Sequence, residues 1–244
     1  MEGNKNSVHT RRLYRFYQLI LFLFYKLFFR LSVKGVTNVP LTGTVIIASN
    51  HASFLDPPLL GGVIPREASF FAKKELCSLW FIKYFIHYSK SIPVDRQGYN
   101  ANAFREMMRL LKEGRAVVIF PEGTRTKTGE FLTPKTGAGM AAVMADAPVV
   151  PCWIEGSFKA KPFISRITVH FLPPFNPGEI EASTKKDHYF LVSKRIMYDI
   201  YNLYEKNMAL FNQVLLQGLE IFNNAVMNNS QISLTICMGV RINP

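Results

Sequence analysis

The stretch Thr44-Val45-Ile46-Ile47-Ala48-Ser49-Asn50-His51-Ala52-Ser53-Phe54-Leu55-Asp56-Pro57-Pro58-Leu59-Leu60 decides the fold. Residues 44–48 are β-branched and apolar, which predicts a buried strand. Leu59 and Leu60 open an apolar helix. A histidine and an aspartate, five residues apart, therefore lie on the loop where a strand ends. Open α/β sheets carry their chemistry at that position.

The spacing constrains the backbone. In a continuous helix five residues turn by about 500°, which leaves His51 and Asp56 roughly 140° apart and out of reach. Pro57 disfavours the helical region for the residue before it. Asp56 is thus expected as an N-cap, with Pro57 at the first helical position. The bend brings carboxylate to imidazole. A carboxylate that accepts from one ring nitrogen fixes the tautomer and leaves the other nitrogen as a base. The pair alone equally fits a structural histidine beside a helix cap.

Composition narrows the class. The chain has 244 residues, 48% hydrophobic and 19% charged. That suits one α/β domain with a full core. The formal net charge is +12, which attracts phosphates, nucleic acid or anionic lipid heads. Twenty phenylalanines and ten tyrosines favour lipid, and no nucleic-acid partner is expected. Cys77, Cys152 and Cys237 are odd in number and lack C-x-x-C spacing. A disulfide framework or a zinc site is not expected.

Along the chain, residues 1–12 read as polar and loose. Residues 13–31 read as an amphipathic helix whose longest uncharged run, Phe16 to Tyr25, is too short to span a bilayer, which takes about 20 residues. Arg15, Gln18, Lys26 and Arg30 fall within an arc of roughly 120° on a wheel of about 100° per residue. A basic stripe on an aromatic helix predicts an element lying in a membrane interface, although a helix packed on its own domain has the same pattern. Further strands are expected at 68–72, 91–94, 116–120, 149–154 and 166–171. Helices are expected at about 75–88, 99–113, 138–145 and 184–207. Beyond 208 another helix to about 227, interrupted by its asparagines, and a stray strand at 232–236 are expected. The expected organisation is an interface helix at 1–34, a catalytic domain at 35–207 and an extension at 208–244. The fold class is α/β, a single domain with a central, mostly parallel or mixed sheet flanked by helices.

Two more loops carry polar groups at strand ends. Ser91-Ile92-Pro93-Val94 runs into Asp95-Arg96, and Ala116 to Phe120 runs into Pro121-Glu122-Gly123-Thr124-Arg125. Gly123 permits a tight turn whose N–H groups can face an anion. Arg125 offers a forked donor suited to phosphate. Lys135 and Thr136 precede a helix, where negative charge is favoured or an ordinary cap suffices.

Four blocks in order, His51-x4-Asp56, Ile92 to Arg96, Phe120 to Arg125 and Val149-Val150-Pro151, resemble those of the glycerolipid acyltransferase family, specifically the 1-acyl-sn-glycerol-3-phosphate acyltransferases. The resemblance spans about residues 30–175. Lys90-Ser91, where a glycine is common, and Cys152 depart from the pattern without touching the chemistry.

The resemblance implies transfer of a fatty acyl group from acyl-CoA or acyl carrier protein to lysophosphatidic acid, giving phosphatidic acid. His51 and Asp56 would be catalytic. Arg96, Arg125, Lys73 and Lys74 would bind phosphate, and Asn50, Glu122, Gly123 and Thr124 would position substrate. No cofactor or metal is implied, since a thioester is already activated. Partners would be a membrane lipid surface and the acyl donor, on the cytoplasmic face. Glycerol 3-phosphate or another lysolipid is an alternative acceptor. Two readings of other classes compete: a metal-dependent phosphoesterase, which needs more ligands than Asp95 adds, and a non-catalytic lipid-binding protein.

Overall fold

The computed structural model describes residues 2–73, 91–94 and 101–238. The expected helix at 75–88, together with Lys74, Asp95 and Arg96, lies outside the described residues. So does the side chain of Lys73, although its backbone ends a strand.

The central sheet has six strands, in the order β1 (Ser32–Lys34), β8 (Thr168–Phe171), β7 (Val149–Glu155), β2 (Val45–Ser49), β6 (Ala116–Ile119) and β3 (Ala68–Ser69). All neighbours are parallel except β7 and β8. This is the mixed α/β sheet expected from the sequence. All five residues of β2 are buried, as befits a strand covered on both faces. The expected strand at 68–72 is instead two. The chain leaves the main sheet after Ser69, and β4 (Phe71–Lys73) pairs with β5 (Ile92–Val94) in a separate two-stranded sheet. The Phe70 carbonyl accepts from Ile92 N–H at 2.7 Å at the crossing point.

One face of the sheet meets two helices. Val45, Ile47, Val118, Val150 and Ile154 pack with Leu59, Leu60 and Val63 of α2 (Asp56–Val63) and with Tyr25 and Phe29 of α1 (Glu2–Phe29). Ile46, Val117 and Val149 alternate onto the other face and are equally buried. Helix α3 (Ala101–Lys112) packs on β6 and on α4 (Gly137–Ala145). Each such aliphatic side chain removed from water contributes about 1.5–3 kcal/mol.

Helix α1 is longer than expected. It begins at Glu2 rather than near residue 13. It is also part of the same compact unit as the sheet, Met1–Tyr201. Tyr14, Gln18, Tyr25 and Phe29 turn inward: Tyr14 Oη accepts from Ala68 N–H, and the Gln18 amide donates to the carbonyls of Gly61 and Ile64. Gly62 makes this approach feasible, since a Cβ there would lie 3.0 Å from Leu21 Cβ and 3.1 Å from Phe22 N. The outer face keeps Phe16, Leu19, Ile20, Leu23, Phe24 and Leu27 exposed. Among the described residues no helix is long and apolar enough to cross a membrane.

The last helix, α5 (Lys185–Met238), is continuous. It replaces both the interrupted helix and the strand expected at 232–236. Asparagines cost a helix interior only about 0.7 kcal/mol each or less, too little to stop it. Within Met1–Tyr201, its residues Val192, Ile196 and Ile200 join the core. Asn202–Pro244 is a second compact unit.

Candidate active site

Strands β2, β6 and β7 run parallel, so the loops that follow them leave from one edge of the sheet. The loop after β2 holds His51. Its Nδ1 lies 2.9 Å from Asp56 Oδ2. The same oxygen accepts the backbone N–H groups of Ala52 and Ser53, both at 2.7 Å. Asp56 is therefore not the N-cap expected from the sequence. Leu55 holds that position, and Asp56 is the first helical residue. Its carboxylate turns back on the preceding loop, where three donors converge. Asp56 is fully buried and the His51 side chain is 16% exposed. With Nδ1 donating to the carboxylate, Nε2 is left as the basic nitrogen. The His51 ring stacks on Phe120, 4.1 Å between centroids and 20° between planes.

The loop after β6 fixes His51 from the other side. Glu122 Oε1 accepts His51 N–H at 2.9 Å, and Oε2 accepts Leu132 N–H at 3.1 Å. Thr126 N–H donates to the His51 carbonyl at 2.9 Å. Burial raises the Glu122 carboxyl above its usual range, and the two backbone N–H groups pull it partly back. Strand β7 itself adds a third tie. Asn50 Nδ2 donates to the Ile154 carbonyl at 3.0 Å, and its Oδ1 accepts Ile154 N–H at 2.8 Å. Asn50 and Glu122, expected to position substrate, thus have their polar atoms engaged by the protein's own backbone.

Gly123 and Thr124 are exposed on the turn, and Gly123 takes φ 69°, a conformation that suits glycine. Arg125 precedes the anchored Thr126. Its guanidinium carbon sits 3.4 Å from the centroid of the Phe54 ring, on the histidine loop. Lys135 donates its backbone N–H to the Pro121 carbonyl at 2.8 Å. Its side chain lies across Gly123, where a Cβ would come within 2.9 Å of Lys135 Cδ. The partly buried His51–Asp56 pair is thus flanked by a loop whose Arg125 reaches the histidine loop at Phe54 and whose Lys135 covers Gly123, next to the Glu122 that holds His51. Among the described residues no three His, Cys, Asp or Glu side chains cluster as metal ligands would.

Two contributors escape sequence reasoning. Phe54 lies inside the His-x4-Asp spacing, and only an exposed aromatic in a polar loop hints at it. Tyr25 comes from α1. Its hydroxyl donates to the Leu55 carbonyl at 2.8 Å, directly before Asp56. Burial, with Asp56 nearby, pushes its phenol well above the ordinary value.

A mixed α/β sheet with a His–Asp pair on one strand-end loop and cations on the next defines the class of fold and site to which the chain belongs. The chain belongs to the Acyltransferase family, whose model matches residues 30–155. It is 36% identical over 131 residues to the 1-acyl-sn-glycerol-3-phosphate acyltransferase of Bacillus subtilis, covering 53% of this chain and 65% of that one. It is 30% identical over 138 residues to the chloroplastic enzyme LPAT1 of Arabidopsis thaliana, covering 55% and 38%. The chain thus spans less than two thirds of each of these relatives. The crystal structure of a 1-acyl-sn-glycerophosphate acyltransferase from Thermotoga maritima shares the fold, with a TM-score of 0.65 at 24% identity, covering 84% of this chain and 83% of that one.

Proposed function

We propose that the protein transfers a fatty acyl group from an acyl thioester to the sn-2 hydroxyl of 1-acyl-sn-glycerol 3-phosphate, producing phosphatidic acid. The observation that carries this reading is the 2.9 Å bond between His51 Nδ1 and Asp56 Oδ2, on a loop that Arg125 reaches through Phe54. His51 Nε2 takes the proton of the lipid hydroxyl as its oxygen attacks the thioester carbonyl. Asp56 stabilises the imidazolium that forms, as the acid of a triad does with the substrate hydroxyl in the nucleophile's place. Collapse of the tetrahedral intermediate breaks the C–S bond, and the departing thiolate takes the proton from His51. Arg125 and Lys135 hold the phosphate. Arg96, Lys73 and Lys74 are assigned to the same phosphate on the motif resemblance alone. The names of the relatives in Bacillus and Arabidopsis support the acceptor.

The outer face of α1 lies on a membrane surface. It carries exposed Phe16, Leu19, Ile20, Leu23 and Leu27 beside exposed Arg12, Arg15, Lys26 and Arg30. Such a face suits the headgroup boundary of an anionic bilayer. Because acyl thioesters are cytosolic, that is the cytoplasmic leaflet.

The test is direct. Purified protein is given acyl-CoA or acyl carrier protein as donor, with lysophosphatidate, glycerol 3-phosphate or another lysolipid as acceptor, and products are identified by mass. Phosphatidate from lysophosphatidate is expected with at least one donor. Its absence with both donors overturns the proposal.

A further inference from the structure

The segment Ser157-Phe158-Lys159-Ala160-Lys161-Pro162-Phe163-Ile164-Ser165-Arg166 joins β7 to β8 and has no part in the chemistry above. Its tip exposes two large apolar side chains, Phe163 at 61% and Ile164 at 70%. Phe163 holds φ 63°, rare for a bulky residue, and it is fixed there from α1. Its N–H donates to the Phe28 carbonyl at 2.6 Å, and Arg30 Nη2 donates to its own carbonyl at 2.9 Å. The rings of Phe28 and Phe163 are 4.8 Å apart, and those of Phe24 and Phe28 are 4.9 Å apart. The apolar surface of α1 thus continues, ring against ring, into the loop.

The charges within the two segments that form this surface have one sign. Lys159, Lys161 and Arg166 are exposed in the loop, and Arg12, Arg15, Lys26 and Arg30 on the helix. Neither 157–166 nor 12–30 contains an acidic residue. At its other end the loop touches the loop that carries Arg125, since a Cβ on Gly129 would lie 2.9 Å from Phe158.

We propose that Phe163 and Ile164 form, with the outer stripe of α1, one docking face for an anionic lipid surface, the two tip residues entering the acyl boundary while Lys159, Lys161 and Arg166 meet headgroups. The inference rests on the lipid-surface reading of α1 and adds a second point of insertion. Contact at the loop tip beside the helix widens the face in a second direction and fixes the molecule's tilt on the bilayer, which a single helix lying in the plane leaves free to roll. Contiguous apolar rings flanked, within these two segments, by cations are what an anionic membrane matches in both chemistry and extent.

The test uses the full chain and sedimentation with phosphatidylcholine vesicles, with and without phosphatidylglycerol. Phe163→Ser combined with Ile164→Ser is expected to weaken partitioning onto the anionic vesicles by about tenfold or more, with unchanged melting. Leu19→Ser combined with Leu23→Ser serves as the comparison. If the loop variant binds like the parent while the helix variant is weakened, the loop inference falls and the helix reading stands. If neither is weakened, or the parent does not bind, both fall. Binding of the loop face to an acidic acyl carrier protein without vesicle binding also overturns the proposal. Should the loop double variant fail to fold, Ile164→Trp supplies an independent readout. Its added emission is expected to be quenched by lipids brominated in the acyl chain, and no quenching beyond the parent's overturns the proposal.

Discussion

At the residue scale, His51 is held at its ring by Asp56, at its N–H by Glu122 and at its carbonyl by Thr126. Its direction is therefore set by three separate bonds. Glu122→Gln keeps the shape but turns one acceptor into a donor that faces a backbone N–H, so one of two bonds is lost. That costs about 1–3 kcal/mol, and a drop in kcat of roughly tenfold or more is expected as the histidine loop loosens. The pH dependence has a definite sign. Burial raises the folded-state carboxyl of Glu122, so its contribution is most favourable below the unfolded value of about 4.3. It is lost as pH rises through the folded value. The stability difference between parent and Glu122→Gln, measured by denaturant unfolding from acid to neutral pH, should therefore shrink as pH rises; a difference independent of pH would contradict the assignment. Phe54→Ala removes the ring beneath Arg125. Such a contact is worth about 0.5–2 kcal/mol, so KM for a phosphate-bearing acceptor should rise about 2–30-fold with kcat little changed. The His51–Asp56 pairing was legible from the spacing at a strand end, but the route expected through Pro57, with Asp56 as N-cap, is not the one taken, since Leu55 holds that position. The orientation of the carboxylate was not legible, because it depends on N–H groups of Ala52 and Ser53 whose directions no spacing reveals.

At the element scale, strands were read well where they are central. β2 and β6 are runs of Val, Ile and Ala, with Ser49 closing β2, and are buried throughout; their pattern has no competing explanation. The 68–72 stretch was misread as one strand because leaving one sheet for another is a matter of pairing partners, and composition does not carry that. The C-terminal asparagines were misread as breakers because propensity is a weak prior against a long helix. Helix contacts make sharper predictions. Gly139 on α4 faces α5 so closely that a Cβ would lie 1.9 Å from the Tyr189 carbonyl oxygen. Gly139→Ala forces the helices apart, and overpacking of this kind costs about 1–3 kcal/mol or more. A clear fall in melting temperature is expected; an unchanged one would show that α4 and α5 do not approach as described. On the strand pair β7 and β8, the His170 ring 3.2 Å from Glu155 Oε2 holds that carboxyl below its usual range. This contribution is present above about pH 4.3 and is lost as pH falls through the lowered folded value.

At the scale of the whole molecule, α1 has two functions for two faces. Its inner face places Tyr14, Tyr25 and Phe29 in the core and reaches the histidine loop through Tyr25. Its outer face is left to the solvent or to lipid. Sequence reasoning saw one amphipathic helix and had to choose between interface and core, because a wheel with apolar residues on most of its circumference does not say which part another helix covers. Deleting residues 1–32 therefore removes core as well as the proposed anchor, and the truncated chain is expected to be recovered unfolded or aggregated rather than as a soluble enzyme. A soluble, cooperatively melting product would contradict this. The loops after parallel β2 and β6, tied to each other by Glu122 and Thr126 and to β7 by Asn50, put His51, Arg125 and Lys135 at one edge of the sheet. The measurement that bears most directly on this account is the rate of acyl transfer to lysophosphatidate by His51→Ala, with melting and vesicle binding measured on the same preparation. The account predicts a rate lower by about 10²–10⁴-fold with melting and binding unchanged; turnover equal to the parent's would contradict it.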